Sequence, residues 1–288
     1  MPELTFDYHR AGSVAEAAQL LERYGEDAHL MAGGTSFVLL YRQGLIAPGH
    51  VVDVRRVPGL GGIRRTPDGG LEIGATTTHR QAETSADVRD YCPALTETIG
   101  HVATIRIRNQ GTLGGNLAHA DPAQDPPPML IALGASVVAQ GPRGERVIPL
   151  DEFFVDYFET ALLHDEVLTA IRCPVLPAGT RATYVKFLPQ TQDDYATVSV
   201  GATLRLGEDI RCEDVRIGLG SLGTTPLRAR KVEDAVRGQS LSPDLVQDVA
   251  ALVRDEVDPL EDVRGSPRYK REMARVWVGR ALTRLVAP

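Results

Sequence analysis

The segment RNQGTLGGNLAHADPAQDPPP, residues 108–128, constrains the fold of this chain more than any other stretch. It contains three glycines, two acidic residues and four prolines, and its apolar residues follow neither the helical nor the strand period. Glycine permits tight turns and close backbone approach, whereas proline removes a backbone donor and stiffens the chain. We therefore expect an irregular loop here that the rest of the fold must hold in place.

The polar groups of this loop suit a ligand rich in oxygen atoms. Hydroxyl, amide and carboxamide groups can donate to phosphate oxygens, and carboxylates can accept from sugar-like hydroxyls. A solvent-exposed loop made of turn-forming residues is the alternative when the segment is taken alone. The candidate groups are the Thr112 hydroxyl, the Gly114 and Gly115 amides, the Asn116 side chain, and the Asp121 and Asp125 carboxylates.

A second glycine turn lies in MAGGTSFVLLYRQGL, residues 31–45. Gly33 and Gly34 allow the backbone to turn tightly, and Thr35 or Ser36 can then cap an apolar segment that is predicted to be helical. Converging amides at a helix N-terminus form an anion site suited to a phosphate. Because the chain has two glycine loops of this kind, we expect one ligand with two phosphates.

Helix and strand signals are interspersed without regular alternation, which favours an α+β fold over a doubly wound parallel sheet. Helices are predicted at 13–25, 242–257 and 266–286, each opened by a serine cap. The face that the last helix should bury carries Met273, Val276, Trp277, Ala281 and Leu285. Strands are predicted at 50–54, 71–75, 135–140, 167–171, 183–187, 197–206 and 215–219.

A domain boundary is expected near RCPVLPAG, residues 172–179, where two prolines and a glycine follow a predicted strand. The strands and the two capped helices beyond it would form a second, smaller domain.

The hexapeptide GLGSLG, residues 218–223, matches a dinucleotide-binding fingerprint letter by letter. Thr224, Thr225 and Pro226 interrupt the helix that such a site requires, and no clear βαβ unit surrounds it. A glycine-rich turn after a strand is the better interpretation.

Composition and charge exclude several classes of protein. The chain has 43% hydrophobic and 24% charged residues, as globular proteins do, and its net charge of −7 argues against binding to nucleic acid or an anionic membrane. No apolar window has the length of a signal peptide core or a transmembrane helix, so we expect a cytoplasmic protein.

Side chains that could bind metals or act as nucleophiles are scattered. Cys92, Cys173 and Cys212 are too far apart in sequence for a disulfide framework or a thiolate-ligated metal site. No two of the seven histidines have the spacing of a helical zinc site, and no hydrolase nucleophile motif occurs. His119 and Asp121 receive no role.

Five motifs spread along essentially the whole chain point to a known family. They are AGGTS (32–36), GATTT (74–78), IRNQGTLGGNLAHADPAQD (107–125), KFLPQTQDDYATVSV (186–200) and YKREMARVWVGRAL (269–282). Together they resemble the FAD-binding medium subunits of molybdenum hydroxylases of the carbon monoxide dehydrogenase and xanthine dehydrogenase type.

The resemblance implies a fold and a function. It implies a vanillyl-alcohol oxidase-like (PCMH-type) FAD domain at 1–175, with subdomains of about 1–57 and 58–175, and a smaller α+β C-terminal domain at 176–288. The chain would carry FAD non-covalently and pass electrons from a small 2Fe-2S subunit to an external acceptor. The molybdenum cofactor would belong to a large subunit, and the complex would be a dimer of heterotrimers.

Matching positions also imply site residues. Leu168 would contact the adenine or the flavin, Lys186 would lie close to the cofactor, and Tyr195 would lie beside the isoalloxazine, although core packing is the alternative for Leu168 and Tyr195. Asp125 would lie near the ribityl and ribose hydroxyls. The residues expected to cradle the pyrophosphate are Ala32, Gly33, Gly34, Thr35, Ser36, Thr112, Leu113, Gly114, Gly115 and Asn116.

Two departures from the family pattern bear on function. Thr35 replaces a frequent histidine, and Gln190 and Thr191 stand where arginines are frequent, which leaves the electron acceptor open. A free-standing flavin oxidase or reductase on the same fold is the first alternative, although Thr35 argues against a covalent flavin link. A non-catalytic assembly module is the second, and the intact glycine loops argue against it.

Overall fold

The computed structural model describes residues 6–189, 194–207 and 210–287. Its buried residues form three hydrophobic clusters. The smallest lies in the first sixty residues and includes Val167, the largest lies in the middle of the chain, and the third lies in the C-terminal part.

The first cluster lies under a small parallel sheet. The helix α1 (Val14–Tyr24) buries Ala17, Ala18 and Leu21, begins at the cap Ser13 and stops at Gly25, where φ is +56°. This confirms the predicted helix and its glycine end. The strands are β1 (Asp7–Arg10), β2 (Ala28–Met31) and β3 (His50–Asp53), in the order β1-β3-β2.

The middle cluster lies between an antiparallel sheet and a group of short helices. The sheet has the order β4-β5-β10-β6-β7 and contains β4 (Ile63–Arg65), β5 (Leu71–Gly74), β6 (Ser136–Gly141), β7 (Gly144–Pro149) and β10 (Val167–Cys173). A hairpin of β8 (Phe154–Asp156) and β9 (Glu159–Thr160) stands apart. The helices are α3 (His79–Glu83), α4 (Ala86–Tyr91), α5 (Pro93–Gly100) and α6 (Ile105–Arg108).

The prediction of an irregular loop at 108–128 is wrong, because the segment contains α7 (Leu113–His119) and the start of α8 (Pro126–Ala132). Thr112 caps α7 by accepting a bond from the Gly115 amide, and Ala120 ends it with φ of +54°. The three prolines stand in the first turn of α8, where the missing N–H groups have no carbonyl to meet. For α7 and α8 the helix signals are therefore a capping threonine and first-turn prolines, not a helical spacing of apolar residues.

The C-terminal part is an antiparallel sheet covered by helices. Its strands, in the order β11-β12-β13-β14, are β11 (Arg181–Phe187), β12 (Val198–Leu206), β13 (Cys212–Gly220) and β14 (Leu227–Arg228). Val198, Val200 and Ala202 belong to the third cluster with α9 (Arg230–Val236), α10 (Pro243–Ala251) and α11 (Pro267–Val286).

The predicted helices α10 and α11 are confirmed, but the buried face of α11 differs from the prediction. Ala281 and Leu285 are buried, whereas Met273, Val276 and Trp277 are only partly buried. The reason is that small side chains let the helix approach the sheet. The buried face of α11 consists of Lys270, Ala274, Val278, Gly279, Ala281, Leu282 and Leu285.

The glycines of GLGSLG allow a helix to pack on a strand. Gly218 and Gly220 lie in β13 rather than in a turn, so the turn interpretation holds only from Ser221 onward. A Cβ on Gly218 would lie 2.0 Å from the Pro128 carbonyl oxygen of α8, and one on Gly220 would lie 2.9 Å from the Pro128 ring. Close packing of α8 therefore accounts for these glycines.

Candidate functional site

The first glycine loop connects β2 to the helix α2 (Thr35–Arg42), which confirms the predicted helix. The predicted cap at Thr35 or Ser36 is wrong, because the N-cap is Gly34 and no side chain caps the helix. Gly34 stands at the N-cap with φ of +73°, a left-handed conformation that glycine adopts without strain. The first-turn amides of α2, starting at Thr35, have no intrahelical acceptor. They form a potential anion site at the positive end of the helix dipole.

The second glycine loop is pinned to residues 75–79. The Leu113 amide donates to the Thr77 carbonyl at 3.0 Å, and the Gly114 amide donates to the Ala75 carbonyl at 2.9 Å. The Gly115 amide donates to the Thr112 hydroxyl at 3.1 Å. The expectation that the Gly114 and Gly115 amides are available to a ligand is therefore wrong, because both already donate within the chain. They shape the loop instead.

The two glycine loops lie side by side. A Cβ on Gly33 would lie 2.2 Å from the Gln110 carbonyl oxygen and 2.9 Å from the Gly111 Cα. A Cβ on Gly111 would lie 3.4 Å from the Thr35 hydroxyl oxygen. Residues distant in sequence thus form one cradle, which we call the glycine cradle: residues 32–36 and 110–116.

The cradle contains a polar group that lacks a partner. The Asn116 side-chain oxygen is buried and makes no hydrogen bond within the described chain. A buried, unpaired acceptor is costly unless a ligand or water satisfies it. The cradle thus combines helix-end amide donors with an unpaired carboxamide acceptor, which fit the diphosphate and a hydroxyl or amine group of a dinucleotide.

Asp125 lies in a buried ionic cluster rather than at an open surface. Its carboxylate accepts from the Tyr184 hydroxyl at 2.6 Å and from Lys186 Nζ at 2.9 Å, and Lys186 also donates to the His101 carbonyl at 3.2 Å. Burial raises the pKa of Asp125, although Lys186 and Tyr184 oppose that shift. Each carboxylate oxygen keeps one lone pair for a ligand hydroxyl.

Leu168 and Tyr195 lie in different environments. Leu168 is buried in the middle cluster, beside a register shift in β10. Tyr195 is 41% exposed, so core packing is wrong for this residue. Arg264 lies over its ring at 5.5 Å, and burial of its hydroxyl together with the nearby Asp121 carboxylate raises the pKa of Tyr195 to about 12.

His119 and Asp121 lie on the same side of the molecule as Tyr195. The His119 ring contacts that of Phe158 at 5.1 Å, and burial lowers the pKa of His119 while the Asp121 charge opposes this. Asp121 accepts from the Ala123 amide at 2.9 Å. Gln190 and Thr191 lie outside the described residues.

Sequence reasoning missed His79, which lies beneath the cradle. Its amide donates to the Gly111 carbonyl at 3.0 Å, and its ring Cδ2 would lie 3.3 Å from a Cβ on Gly111. Burial and the nearby Arg108 charge lower the pKa of His79 to about 4. The motif GATTT directly before it was the available signal.

Two absences apply to the part of the chain that the structure describes. No group of three or more histidine, cysteine or acidic side chains there could hold a metal ion. No helix in these residues has the length and apolar character needed to cross a membrane.

Comparison with known proteins gives a consistent result. Residues 4–176 match the family described as FAD binding domain in molybdopterin dehydrogenase, and residues 183–285 match the CO dehydrogenase flavoprotein C-terminal domain. The chain is 37% identical to the 6-hydroxypseudooxynicotine dehydrogenase complex subunit alpha of Paenarthrobacter nicotinovorans, over 97% of this chain and 94% of that protein.

Carbon monoxide dehydrogenases are similarly related. The medium chain from Afipia carboxidovorans is 36% identical over 98% of this chain and 97% of its own length. The solved carbon monoxide dehydrogenase of Hydrogenophaga pseudoflava that lacks the Mo-pyranopterin moiety has a chain with a TM-score of 0.94, 36% identity and 98% coverage of both chains.

Proposed function

The chain belongs to the family of FAD-binding medium subunits of molybdenum hydroxylases, and we propose that it holds FAD between the two loops of the glycine cradle. It is the flavoprotein component of an oxidoreductase complex, an electron-transfer role. The observation that supports this position for FAD is the contact between Gly33 and residues 110–111, which joins the loops into one site.

The residues of the chain would bind and orient FAD. The first-turn amides of α2 would face the diphosphate, and Asn116 would pair with a hydroxyl or amine donor. Lys186 and Asp125 would lie close to the ribityl chain, and Tyr195 would cover the flavin. When bound, FAD supplies the redox chemistry, and the protein supplies orientation and electrostatics.

The wider assembly extends this proposal. Relatives are subunits of multi-subunit molybdenum enzymes, so large and small partner chains are implied. We further propose that the complex is a dimer of heterotrimers. Within this chain we propose an FAD domain at 1–175, with subdomains of about 1–57 and 58–175, and a C-terminal domain at 176–288. A cytoplasmic location is also proposed, and the free state of Cys92, Cys173 and Cys212 supports it.

The experiment measures FAD on the purified chain. We expect flavin absorbance in a 1:1 ratio with the chain, and full release of FAD on denaturation if the link is non-covalent. Asn116→Ala should weaken FAD binding by about tenfold, as expected for one lost hydrogen bond in a buried site. Gln239→Ala, an exposed amide on the C-terminal part, is the matched control.

Wild-type affinity for FAD in the Asn116→Ala variant would refute the assignment of the cradle. Valine at Gly33 or Gly114 would be a less specific test, because each added Cβ would meet the chain's own backbone or side-chain atoms at 2.2 to 2.5 Å and disturb folding directly.

A further inference from the structure

A basic groove runs along the exposed face of α11, away from the glycine cradle. Its volume is about 440 Å³. None of the described residues that line it carries a carboxylate, although the whole chain has a net charge of −7. The lining residues are Gln247, Arg275, Val276, Trp277, Gly279, Arg280, Thr283 and Arg284.

The three arginines of this groove are only weakly neutralised. Arg275 pairs with Glu272 at 3.4 Å, and Glu272 is shared with Arg254. Arg280 contacts only the Trp277 ring, at 4.6 Å, and Arg284 makes no contact of hydrogen-bond, ion-pair or ring type within the described residues. Two guanidinium groups are therefore free to bind an anionic partner.

Packing holds the groove in shape. Trp277 stacks on Phe187 with ring centroids 5.2 Å apart, and the Arg280 guanidinium lies over the indole at 4.6 Å, so the guanidinium is held in place before binding. A Cβ added at Gly279 would lie 3.7 Å from the Ala250 Cβ, so the absence of a side chain there lets α10 pack close to α11, and Gln247 of α10 forms the opposite wall. The indole is already engaged by Phe187 and Arg280, which disfavours stacking of a nucleotide base on it.

The length of the groove selects the kind of ligand. Arg284 follows Arg275 by nine residues on α11, which is a rise of about 13.5 Å along the helix axis at 1.5 Å per residue. A single phosphate could contact Arg280 and Arg284, which lie one turn apart, but an extended segment with several carboxylates could reach Arg275 as well. Arginine and tryptophan are also the residues that contribute most to protein interfaces.

We propose that this groove binds an acidic segment of a partner chain in the complex. The inference rests on the proposed function, because it requires the partner subunits. Opposite charge then speeds association and sets the register of docking, and both effects weaken as salt increases.

The experiment compares assembly of variants with the large and small partner chains. Arg280→Glu combined with Arg284→Glu should raise the dissociation constant of the complex by at least about tenfold and remove most of its salt dependence. Arg280→Lys with Arg284→Lys should retain most of the affinity. Arg56→Glu with Arg89→Glu, an equal charge change at exposed arginines elsewhere, should assemble normally.

Two readouts separate folding and function from docking. Fluorescence of Trp277, the single tryptophan, and FAD content should be retained in Arg284→Glu, whose side chain contacts no described group. Failure of the wild-type chain to assemble with any partner would overturn the proposed function. Normal assembly and salt dependence of the double glutamate variant, in a complex that does form, would overturn only this inference.

A competing occupant is tested with pyrophosphate alone. Saturable quenching of Trp277 at constant ionic strength, with no loss of assembly in the double glutamate variant, would identify a small-anion site and refute the docking role. Competition between pyrophosphate and the partner chains would support it.

Discussion

At the scale of single residues, His79 connects protonation to the shape of the glycine cradle. Its ring packs against Gly111, where the two loops meet, and its Nδ1 is buried with no hydrogen-bond partner among the described residues. The charge of Arg108 lies close enough to lower the pKa of His79, and Arg108 itself pairs with Glu83 at 3.1 Å. A protonated imidazole would therefore be desolvated and close to a like charge, so the folded cradle requires neutral His79.

We predict that His79 makes stability fall in mild acid. Its pKa is about 4 in the folded chain against an ordinary value of 6.5, so the unfolded chain binds the proton first as pH falls. The stability that neutral His79 contributes is fully present above pH 6.5 and is lost as the pH falls toward 4. Lowering the pH from 8 to 5 should therefore reduce the free energy of unfolding by about 2 kcal/mol through this histidine. Urea unfolding at both pH values measures it.

The control for that experiment is His79→Gln, which has no charge to gain. Carboxylates titrate in both proteins, so the difference between them isolates the imidazole. Equal losses of stability in wild type and variant between pH 8 and pH 5 would show that the buried histidine does not have the lowered pKa.

The buried pair of Asp125 and Lys186 should show strong coupling. Removing one partner of a buried ion pair leaves the other charge uncompensated and costs about 3–5 kcal/mol. We therefore expect Lys186→Met to destabilise strongly, while Asp125→Asn with Lys186→Met costs less than the sum of the single changes. A double-mutant cycle of unfolding free energies measures this coupling, and additive losses would mean that the pair is not formed.

At the scale of elements, the sequence predicted helices and strands that are marked by local signals such as caps and apolar runs. Serine caps located α1, α10 and α11. The short β-branched runs located seven of the described strands but missed shorter or more polar ones such as β1, β4 and β14. Local signals did not reveal α7 and α8, because a cap and proline-rich first turn stand there in place of an amphipathic pattern. The engaged amide of Gly114 depends on a bond to the distant Ala75 carbonyl and could not be predicted from the loop alone, whereas the bond from the Gly115 amide to Thr112 is a local cap.

The glycines of β13 provide a prediction at the same scale. Gly218→Ala should destabilise the chain by about 1–3 kcal/mol, because its methyl group would lie 2.0 Å from the Pro128 carbonyl oxygen. Gly223→Ala is the matched control, since its nearest neighbour would be a Leu227 methyl at 3.4 Å. Chemical denaturation compares the two. Equal effects would contradict the role assigned to packing of α8.

At the scale of the whole molecule, α8 joins the middle hydrophobic cluster to the C-terminal one. All seven of its residues are buried, and it packs against α5 and α7 on one side and β12 and β13 on the other. Tyr184 of β11 belongs to the middle cluster, and its hydroxyl donates a hydrogen bond to Asp125 at the start of α8. Neither part can separate without exposing this helix and the Asp125 pair, so the two should unfold together.

This coupling can be measured with one reporter in each part. Trp277 reports on the C-terminal helices through its stacking on Phe187, and the absorbance of FAD, held in excess, reports on the glycine cradle. We expect the two transitions to coincide in the wild type, as they do in cooperative unfolding. Gly218→Ala weakens the packing of α8 against β13. The Trp277 transition should then occur at a lower urea concentration than the loss of bound FAD. Well-separated midpoints in the wild type would mean that the two parts fold independently and that α8 does not couple them.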